Sequence, residues 1–204
     1  IIDKKRSMYR KYSIINLSDH KCINLFDVEY PTYDGSTHHW LMCSRKDKPV
    51  EEAAVPDAVV IVPIVATPEG NRLVLTKEYR ATIDDNEYGF PAGLIDENET
   101  VESTVRRELK EETGLDVVTI HSISPPVYSS AGLTDEACCM ALVTATGEPS
   151  THLNEAHEQI EVLLYDTDDI RELLNSRKKI AAKAWGLLYH FAVTGKIEFK
   201  NPIY

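Results

Sequence analysis

The chain has 204 residues, a formal net charge of −11 and 43% hydrophobic residues, which is typical of one soluble globular domain with at most a small appendage. It contains no cluster of five or more basic residues, and this argues against a nucleic-acid partner. No apolar run approaches the roughly 18 residues of a membrane span. The four cysteines form no C-x-x-C pair, so we expect a reduced, cytoplasmic protein.

The first part of the chain alternates short apolar and polar segments. Strands are predicted within residues 12–17, 22–30 and 38–43, with a turn at residues 31–35. Such an antiparallel meander is too thin to fold alone. We therefore assign residues 1–50 to an N-terminal β meander that packs on the rest of the chain or on a second subunit.

The remaining residues, 51–204, alternate predicted strands with predicted helices. Five strands and three helices are expected. The strands are 58–66, 72–79, 117–127, 137–146 and 159–165; the helices are 100–113, 167–175 and 180–193. This pattern predicts an α/β domain with helices around a mixed sheet.

The helix that begins after Thr100 carries the most informative pattern. Thr100 is suited to the N-cap, and Gly114 is suited to the left-handed conformation that ends a helix. Val101, Val105 and Leu109 recur every four residues and form an apolar stripe that faces a core.

Carboxylates continue this stripe at the end of the helix. At about 100° per residue, Glu108 and Glu112 lie within about 40° of each other beside the apolar arc, and Glu111 lies about 60° to the other side of Glu108. Like charges placed this way are costly unless they are paired, and a magnesium ion resolves the cost. The overlap with the stripe argues against the alternative of a solvated acidic face. In that alternative, salt bridges would come from Arg106, Arg107 and Lys110.

Residues 93–115 resemble the signature of the Nudix hydrolases. The matching positions are Gly93, Glu99, Arg107, Glu108, Leu109, Glu111, Glu112, Gly114 and Leu115. The resemblance implies an α/β/α sandwich and cleavage of a nucleoside diphosphate linked to another group. It also implies divalent metal ions, usually Mg²⁺, with Mn²⁺ as an alternative. By position, the implied metal ligands are Glu108, Glu111, Glu112 as the central ligand, and the carbonyl of Ala92.

The same resemblance suggests further catalytic groups. Arg107 and Glu99 resemble the pair that orients the signature helix and its loop. The loop around residues 155–158 resembles one that supplies a base or an extra metal ligand, with Glu158 as first candidate and Glu155 as second. A box glutamate such as Glu111 is a third candidate for the base. The alternative for the loop glutamates is an exposed position with no role.

Flanking segments resemble the ADP-ribose and nucleoside-diphosphate-sugar pyrophosphatases. Arg80 ends a Lys-Glu-Tyr-Arg segment and is a candidate to bind the diphosphate, or else a surface arginine. Asp135 and Glu136 lie in a loop similar to the Ser-Pro-Gly-x-Ser/Thr-Asp-Glu loop of that group, and we expect them to bind substrate. Gly89 and Ala131 depart from the group's usual glutamate and proline, which puts the preference for ADP-ribose in doubt.

The N-terminal meander also fits this group, whose members often exchange such a piece between two subunits, so we expect a homodimer. Trp40, with Tyr30 and Tyr33, is a candidate wall for a base or sugar; the alternative is packing at a dimer interface. We therefore expect hydrolysis of a nucleoside diphosphate sugar, with ADP-ribose as lead candidate. The alternatives are another linked diphosphate, such as a dinucleotide or coenzyme A, and a non-catalytic nucleotide sensor.

Overall fold

The computed structural model describes residues 12–154 and 159–197. The chain divides into two compact units. The first unit extends to Asp57 and includes Tyr128–Ala137; the second contains Ala58–Val127 and continues from Cys138. A downstream segment thus belongs with the N-terminal strands, which sequence reasoning did not anticipate.

Three antiparallel strands form the sheet of the first unit. They are β1 (Ser13–Asn16), β2 (Asn24–Pro31) and β3 (Thr37–Ser44), in that order. Alternation along β2 and β3 buries Phe26, Val28 and Met42 on one face. The downstream segment is held to β3, since the Cys43 N–H donates to the Leu133 carbonyl at 2.8 Å. The predicted antiparallel meander is confirmed.

The second unit is built on a mixed sheet. Its strands are β4 (Ala58–Thr67), β5 (Gly70–Arg80), β6 (Asp85–Gly89), β7 (Ala92–Leu94), β8 (Asp116–Ile123), β9 (Val127–Tyr128), β10 (Ala137–Thr146), β11 (Ile160–Tyr165) and β12 (Lys179–Ile180). The strand order is β12-β6-β5-β4-β10-β8, while β11 pairs with β5 and β7 pairs with β4. Parallel β4 and β10, between antiparallel neighbours, make the sheet mixed.

Helices cover both faces of this sheet. They are α1 (Val101–Thr113), α2 (Thr167–Asn175) and α3 (Ala182–Thr194). The stripe of α1 packs on the face of β4 that carries Val59 and Ile61. The opposite face, with Val60 and Val62, packs against α2 and α3. The predicted α/β sandwich with a mixed sheet is confirmed.

The predicted helix ends agree closely with the structure. The Thr100 hydroxyl accepts from the Ser103 N–H at 3.1 Å, and the Ser103 hydroxyl accepts from the Thr100 N–H at 2.9 Å. Gly114 has φ 74° and donates its N–H to the Lys110 carbonyl at 2.9 Å. Within the described part of the chain, no helix is both long and apolar enough to cross a bilayer.

Two predicted boundaries were wrong. The last helix was expected to begin at residue 180, but it begins at Ala182 because Ile180 pairs with Tyr88 in the parallel β12–β6 ladder. The strand expected over residues 117–127 ends at Ile123. The short strands β6 and β7 were not predicted, because neither shows a clear apolar alternation.

Gly114→Ala tests the end of α1. An added Cβ would lie 2.7 Å from Ser150 Cβ, on a backbone that L-residues disfavour by about 1–2 kcal/mol. We therefore expect a loss of at least about 1–2 kcal/mol of unfolding free energy, measured by urea denaturation. Gly186→Ala in α3 is the matched control: its Cβ meets nothing within 4 Å, and it should gain roughly 0.5–1 kcal/mol. Equal unfolding free energies of Gly114→Ala and Gly186→Ala would contradict the assignment of Gly114 to the left-handed end of α1.

Candidate active site

Arg107 ties α1 to the loop that precedes it. Its Nε donates to Glu99 Oε1 at 2.9 Å and its Nη2 donates to Glu99 Oε2 at 2.7 Å, a bidentate pair. Nη2 also donates to the Leu94 carbonyl at 3.1 Å. The Arg107 guanidinium lowers the pKa of Glu99 from its usual 4.5 to about 2, and the same bonds raise the pKa of Arg107. The orienting pair expected from the sequence is therefore formed.

The same guanidinium also contacts two carboxylates of α1. Its Nη1 donates to Glu108 Oε1 at 2.7 Å and to Glu111 Oε2 at 3.0 Å. One cation thus donates hydrogen bonds to three carboxylates and lies 3.7 Å from a fourth, Asp96 Oδ2, which offsets their mutual repulsion. Glu108 and Glu111 differ in exposure, with 11% and 45% of their side chains accessible to solvent. Glu111 is therefore the more accessible of the two.

The sequence also allowed an acidic face with salt bridges from Arg106, Arg107 and Lys110. Of these three residues, Arg107 contacts the glutamates of α1, whereas the contacts of Arg106 and Lys110 described here lie elsewhere. Arg106 donates to the Val117 carbonyl at 3.0 Å. Lys110 binds the Gly114 carbonyl and Asp116 at the end of the helix, at 3.0 and 2.9 Å. The other two cations therefore fasten α1 to the start of β8.

Two glutamates are buried where the stripe predicted them. Counted over the whole residue, Glu108 is 9% exposed and Glu112 is 6% exposed. The Glu108 carboxylate lies against Gly93, where an added Cβ would come within 1.9 Å of its Cδ. Glu112 Oε2 accepts the Ala92 N–H at 3.0 Å. The two carboxylates therefore lie against adjacent residues of β7, Glu108 against Gly93 and Glu112 against Ala92, and a side chain at position 93 would displace the Glu108 carboxylate.

These groups fit a hard divalent cation. Carboxylate and carbonyl oxygens are the ligands that Mg²⁺ prefers, and Glu108, Glu112 and the Ala92 backbone meet at β7. Among residues 12–154 and 159–197, no three His, Cys, Asp or Glu side chains already converge as a ligand set. The carboxylates are held by Arg107 and by the Ala92 amide, so metal binding would exchange some of these contacts for metal–oxygen bonds.

A cleft beside Ala92 contains Arg80. Arg80 Nη1 lies 2.7 Å from Glu78 Oε1, and its Nε lies 3.7 Å from Glu87 Oε2. Ala92 and Lys183 of α3 line the same cleft, called the Arg80 cleft below. The structure therefore places Arg80 and Ala92 in the lining of one cleft. Sequence reasoning missed Glu78, Glu87 and Lys183, because only the pairing of β5 with β6 and the docking of α3 bring them there.

Gly89 also lines the Arg80 cleft, and the structure accounts for this departure from the pyrophosphatase pattern. A Cβ at Gly89 would lie 3.3 Å from the Ala181 Cβ. The Ala181 N–H donates to the Tyr88 carbonyl at 2.9 Å, which seats the start of α3 on β6. A side chain at this position would therefore need Ala181 to move by a few tenths of an ångström.

The predicted substrate-binding residues of the first unit lie around the downstream segment. Trp40 is 45% exposed, and its Nε1 donates to the Gly132 carbonyl at 3.2 Å. Glu136 Oε1 accepts the Ser129 hydroxyl at 2.6 Å. Asp135 is only 9% exposed, and its buried Oδ2 has no hydrogen-bond partner among the described residues. Trp40 and the loop are thus brought together, and their substrate role stays a prediction.

The two candidates for a loop base, Glu155 and Glu158, lie outside the described residues. The chain resumes at Gln159, whose carbonyl accepts the Tyr79 N–H at 3.3 Å. This places the end of that loop beside the residue that precedes Arg80. The identity of the base stays a prediction.

Comparison with known proteins places these features in a family. A family model described as NUDIX domain matches residues 56–186. Putative nudix hydrolase 2 of Caenorhabditis elegans is 34% identical over 151 residues, 72% of this chain and 67% of that protein. ADP-ribose pyrophosphatase of Saccharomyces cerevisiae is 31% identical over 128 residues, 62% of this chain and 54% of that protein. The match thus spans about half of the yeast protein's length.

A solved structure gives the same result for the fold. The crystal structure of an ADP compounds hydrolase aligns with a TM-score of 0.70 and 19% identity, covering 93% of this chain and 98% of that one. At this identity the likeness concerns the fold alone. The Nudix resemblance drawn from the sequence is confirmed by the domain match over residues 56–186.

Glu99→Gln tests the Arg107 pair through its pH dependence. Because the folded pKa of Glu99, about 2, lies below its usual 4.5, the ionised pair stabilises the fold above about pH 4.5. That contribution is lost as the pH falls towards 2. We expect Glu99→Gln to melt below the wild type at pH 7, with the gap closing in acid. Glu102→Gln, at an exposed position, is the control. A difference in melting temperature between Glu99→Gln and the wild type that stays the same at low pH would contradict the stabilising role of the Glu99–Arg107 pair.

Proposed function

The chain belongs to the NUDIX domain family, and we propose that it hydrolyses the diphosphate bond of a nucleoside diphosphate sugar, with ADP-ribose as lead substrate. The observation that carries the proposal is the pair of buried carboxylates, Glu108 and Glu112, on the Ala92–Gly93 backbone. The name of the yeast relative, an ADP-ribose pyrophosphatase, supports this substrate class. The products would be a nucleoside monophosphate and a sugar phosphate.

Nudix hydrolases generally need divalent metal ions, and we propose Mg²⁺ for this chain, with Mn²⁺ as an alternative. Glu108, Glu111, Glu112 and the Ala92 carbonyl would hold the ion. When bound, it would neutralise charge on the diphosphate and lower the pKa of an attacking water. The exposure of Glu111 supports this assignment, because with 45% of its side chain accessible it is the glutamate of the three that an incoming ion can reach most easily.

The side chains around this position would bind and orient the substrate. Arg80 offers a planar fork suited to phosphate oxygens, and its contacts with Glu78 and Glu87 fix the direction of that fork. Arg107 acts through the carboxylates that it holds and is therefore a positioning residue. Positioning of this kind matters because in-line attack on phosphorus tolerates little misalignment.

One carboxylate must accept the proton of the attacking water. Glu158 and Glu155 are the first and second candidates, and Glu111 is the third. The end of the loop beside Tyr79 supports the first two. Substrate contacts by Trp40, Asp135 and Glu136, a homodimeric assembly and a cytoplasmic location remain proposals drawn from the sequence.

Glu112→Gln tests the metal assignment. We expect a loss of about 100-fold or more in hydrolysis with Mg²⁺, because a bound metal ion supplies several kcal/mol of transition-state stabilisation. The assay incubates the protein with ADP-ribose, other diphosphate sugars, dinucleotides and coenzyme A, and identifies the products by chromatography. Glu102→Gln, exposed on the same helix, is the matched control and should keep wild-type turnover.

The substrate panel also separates the alternatives. Release of AMP and ribose 5-phosphate from ADP-ribose supports the lead candidate. If the protein hydrolyses dinucleotides or coenzyme A but no nucleoside diphosphate sugar, the proposed substrate class is wrong and the alternative class applies. Binding of ADP-ribose without any turnover would favour a sensor, and full turnover in Glu112→Gln would refute the metal assignment.

A further inference from the structure

The first unit contains a buried ion pair between Lys46, just after β3, and Asp57, just before β4. Lys46 Nζ donates to Asp57 Oδ2 at 2.8 Å, and only 8% and 9% of the two side chains are exposed. We propose that this pair positions the loop of Asp135 and Glu136 for substrate binding. The inference rests on the proposed function and makes Lys46 and Asp57 positioning residues.

Both members of the pair also hold the backbone of the loop. Lys46 Nζ donates to the Asp135 carbonyl at 3.4 Å. Asp57 Oδ2 accepts the Ala137 N–H at 2.9 Å, and the Asp57 N–H donates to the Ala137 carbonyl at 2.8 Å. The residue between the two anchored positions is Glu136. The backbone of Glu136 is therefore held on both sides by one ion pair.

The middle of the same loop is held by β3. The Cys43 N–H donates to the Leu133 carbonyl at 2.8 Å, and Trp40 Nε1 donates to the Gly132 carbonyl at 3.2 Å. The ion pair adds the anchors at the end of the loop. The loop is thus fastened along its length within the first unit, which is what a loop with a binding role requires.

Stability alone is a weak reason for a buried ion pair. Moving two charges out of water costs free energy, and apolar residues in their place are often as stable or more stable. Hydrogen bonds to charged groups, however, are roughly twice as strong as those between neutral groups. The pair is therefore better explained by the bonds that it directs at the backbone of residues 135 and 137.

The anchored backbone presents a carboxylate that lacks a partner. Asp135 is 9% exposed, and its Oδ2 accepts no hydrogen bond from the described residues. A buried acceptor of this kind is unfavourable until a donor reaches it, and the hydroxyls of a sugar are such donors. Because hydrogen bonds weaken steeply when donor and acceptor lose their alignment, displacement of the loop should weaken substrate binding.

Two double variants test the proposal. Lys46→Met/Asp57→Leu removes both charges and the acceptor for the Ala137 N–H, and its apolar side chains limit the loss of stability. Lys46→Met/Asp57→Asn keeps an amide oxygen as that acceptor. We expect the first variant to raise KM for ADP-ribose about tenfold, with kcat within about twofold of the wild type, and the second to raise KM by a smaller factor. Lys48→Met, at an exposed position, is the matched control and should keep the wild-type KM.

Amide hydrogen exchange, read by mass spectrometry, measures the loop itself. The Ser129 and Leu133 N–H groups donate to the Glu136 and Ser130 carbonyls, at 2.9 and 2.8 Å. We expect both amides to exchange faster in Lys46→Met/Asp57→Leu and at the wild-type rate in Lys48→Met. The variant with Asp57→Asn carries both measurements if the other does not fold.

Two results would overturn the positioning role. One is a KM in the double variants equal to that of Lys48→Met, and the other is unchanged exchange of the loop amides. A wild type that hydrolyses no diphosphate is a different outcome. In that case the proposed function fails and the substrate role of the pair fails with it, while the exchange data still show whether the pair holds the loop.

Discussion

The guanidinium of Arg107 holds three carboxylates and one backbone carbonyl at the junction of α1 with the loop before it. Without it, Glu99, Glu108 and Glu111 would repel one another in a partly buried place. The bond to Glu99 also sets where the loop enters the helix, and the bond to the Leu94 carbonyl fixes the end of β7. The remaining features of the site depend on this arrangement.

Core packing fixes the position of α1, and thus of its glutamates, relative to the sheet. The stripe of α1 lies on Val59 and Ile61 of β4, and β7 pairs with the start of the same strand. Glu108 and Glu112 are thereby held on the Ala92–Gly93 backbone, in a place where oxygen ligands and partial burial favour a divalent cation. The same strand continues under α3, where Val60 lines the Arg80 cleft.

Local patterns predicted much of this structure. Helical spacing placed Glu108 and Glu112 inward, and the caps at Thr100 and Gly114 are determined by residues a few positions away. The three-stranded meander followed from alternation and turn residues. Each of these features depends on short-range physics that a single sequence displays.

Features that depend on distant pairing were not predictable in the same way. Glu87 faces Arg80 only because β6 pairs with β5, and Lys183 reaches the cleft only because α3 seats on β6. At Gly89 the sequence shows only a departure from a family pattern. The close approach of Gly89 to Ala181 depends on the tertiary structure.

The most direct test of the account is Mn²⁺ binding by the wild type and Gly93→Ala, measured by electron paramagnetic resonance. An added methyl group at Gly93 would occupy the position of the Glu108 carboxylate. We expect a Mn²⁺ site in the wild type and in the Gly186→Ala control, and a Mn²⁺ affinity lower by about 10–100-fold in a folded Gly93→Ala protein. Equal Mn²⁺ affinity in the wild type and Gly93→Ala would contradict it.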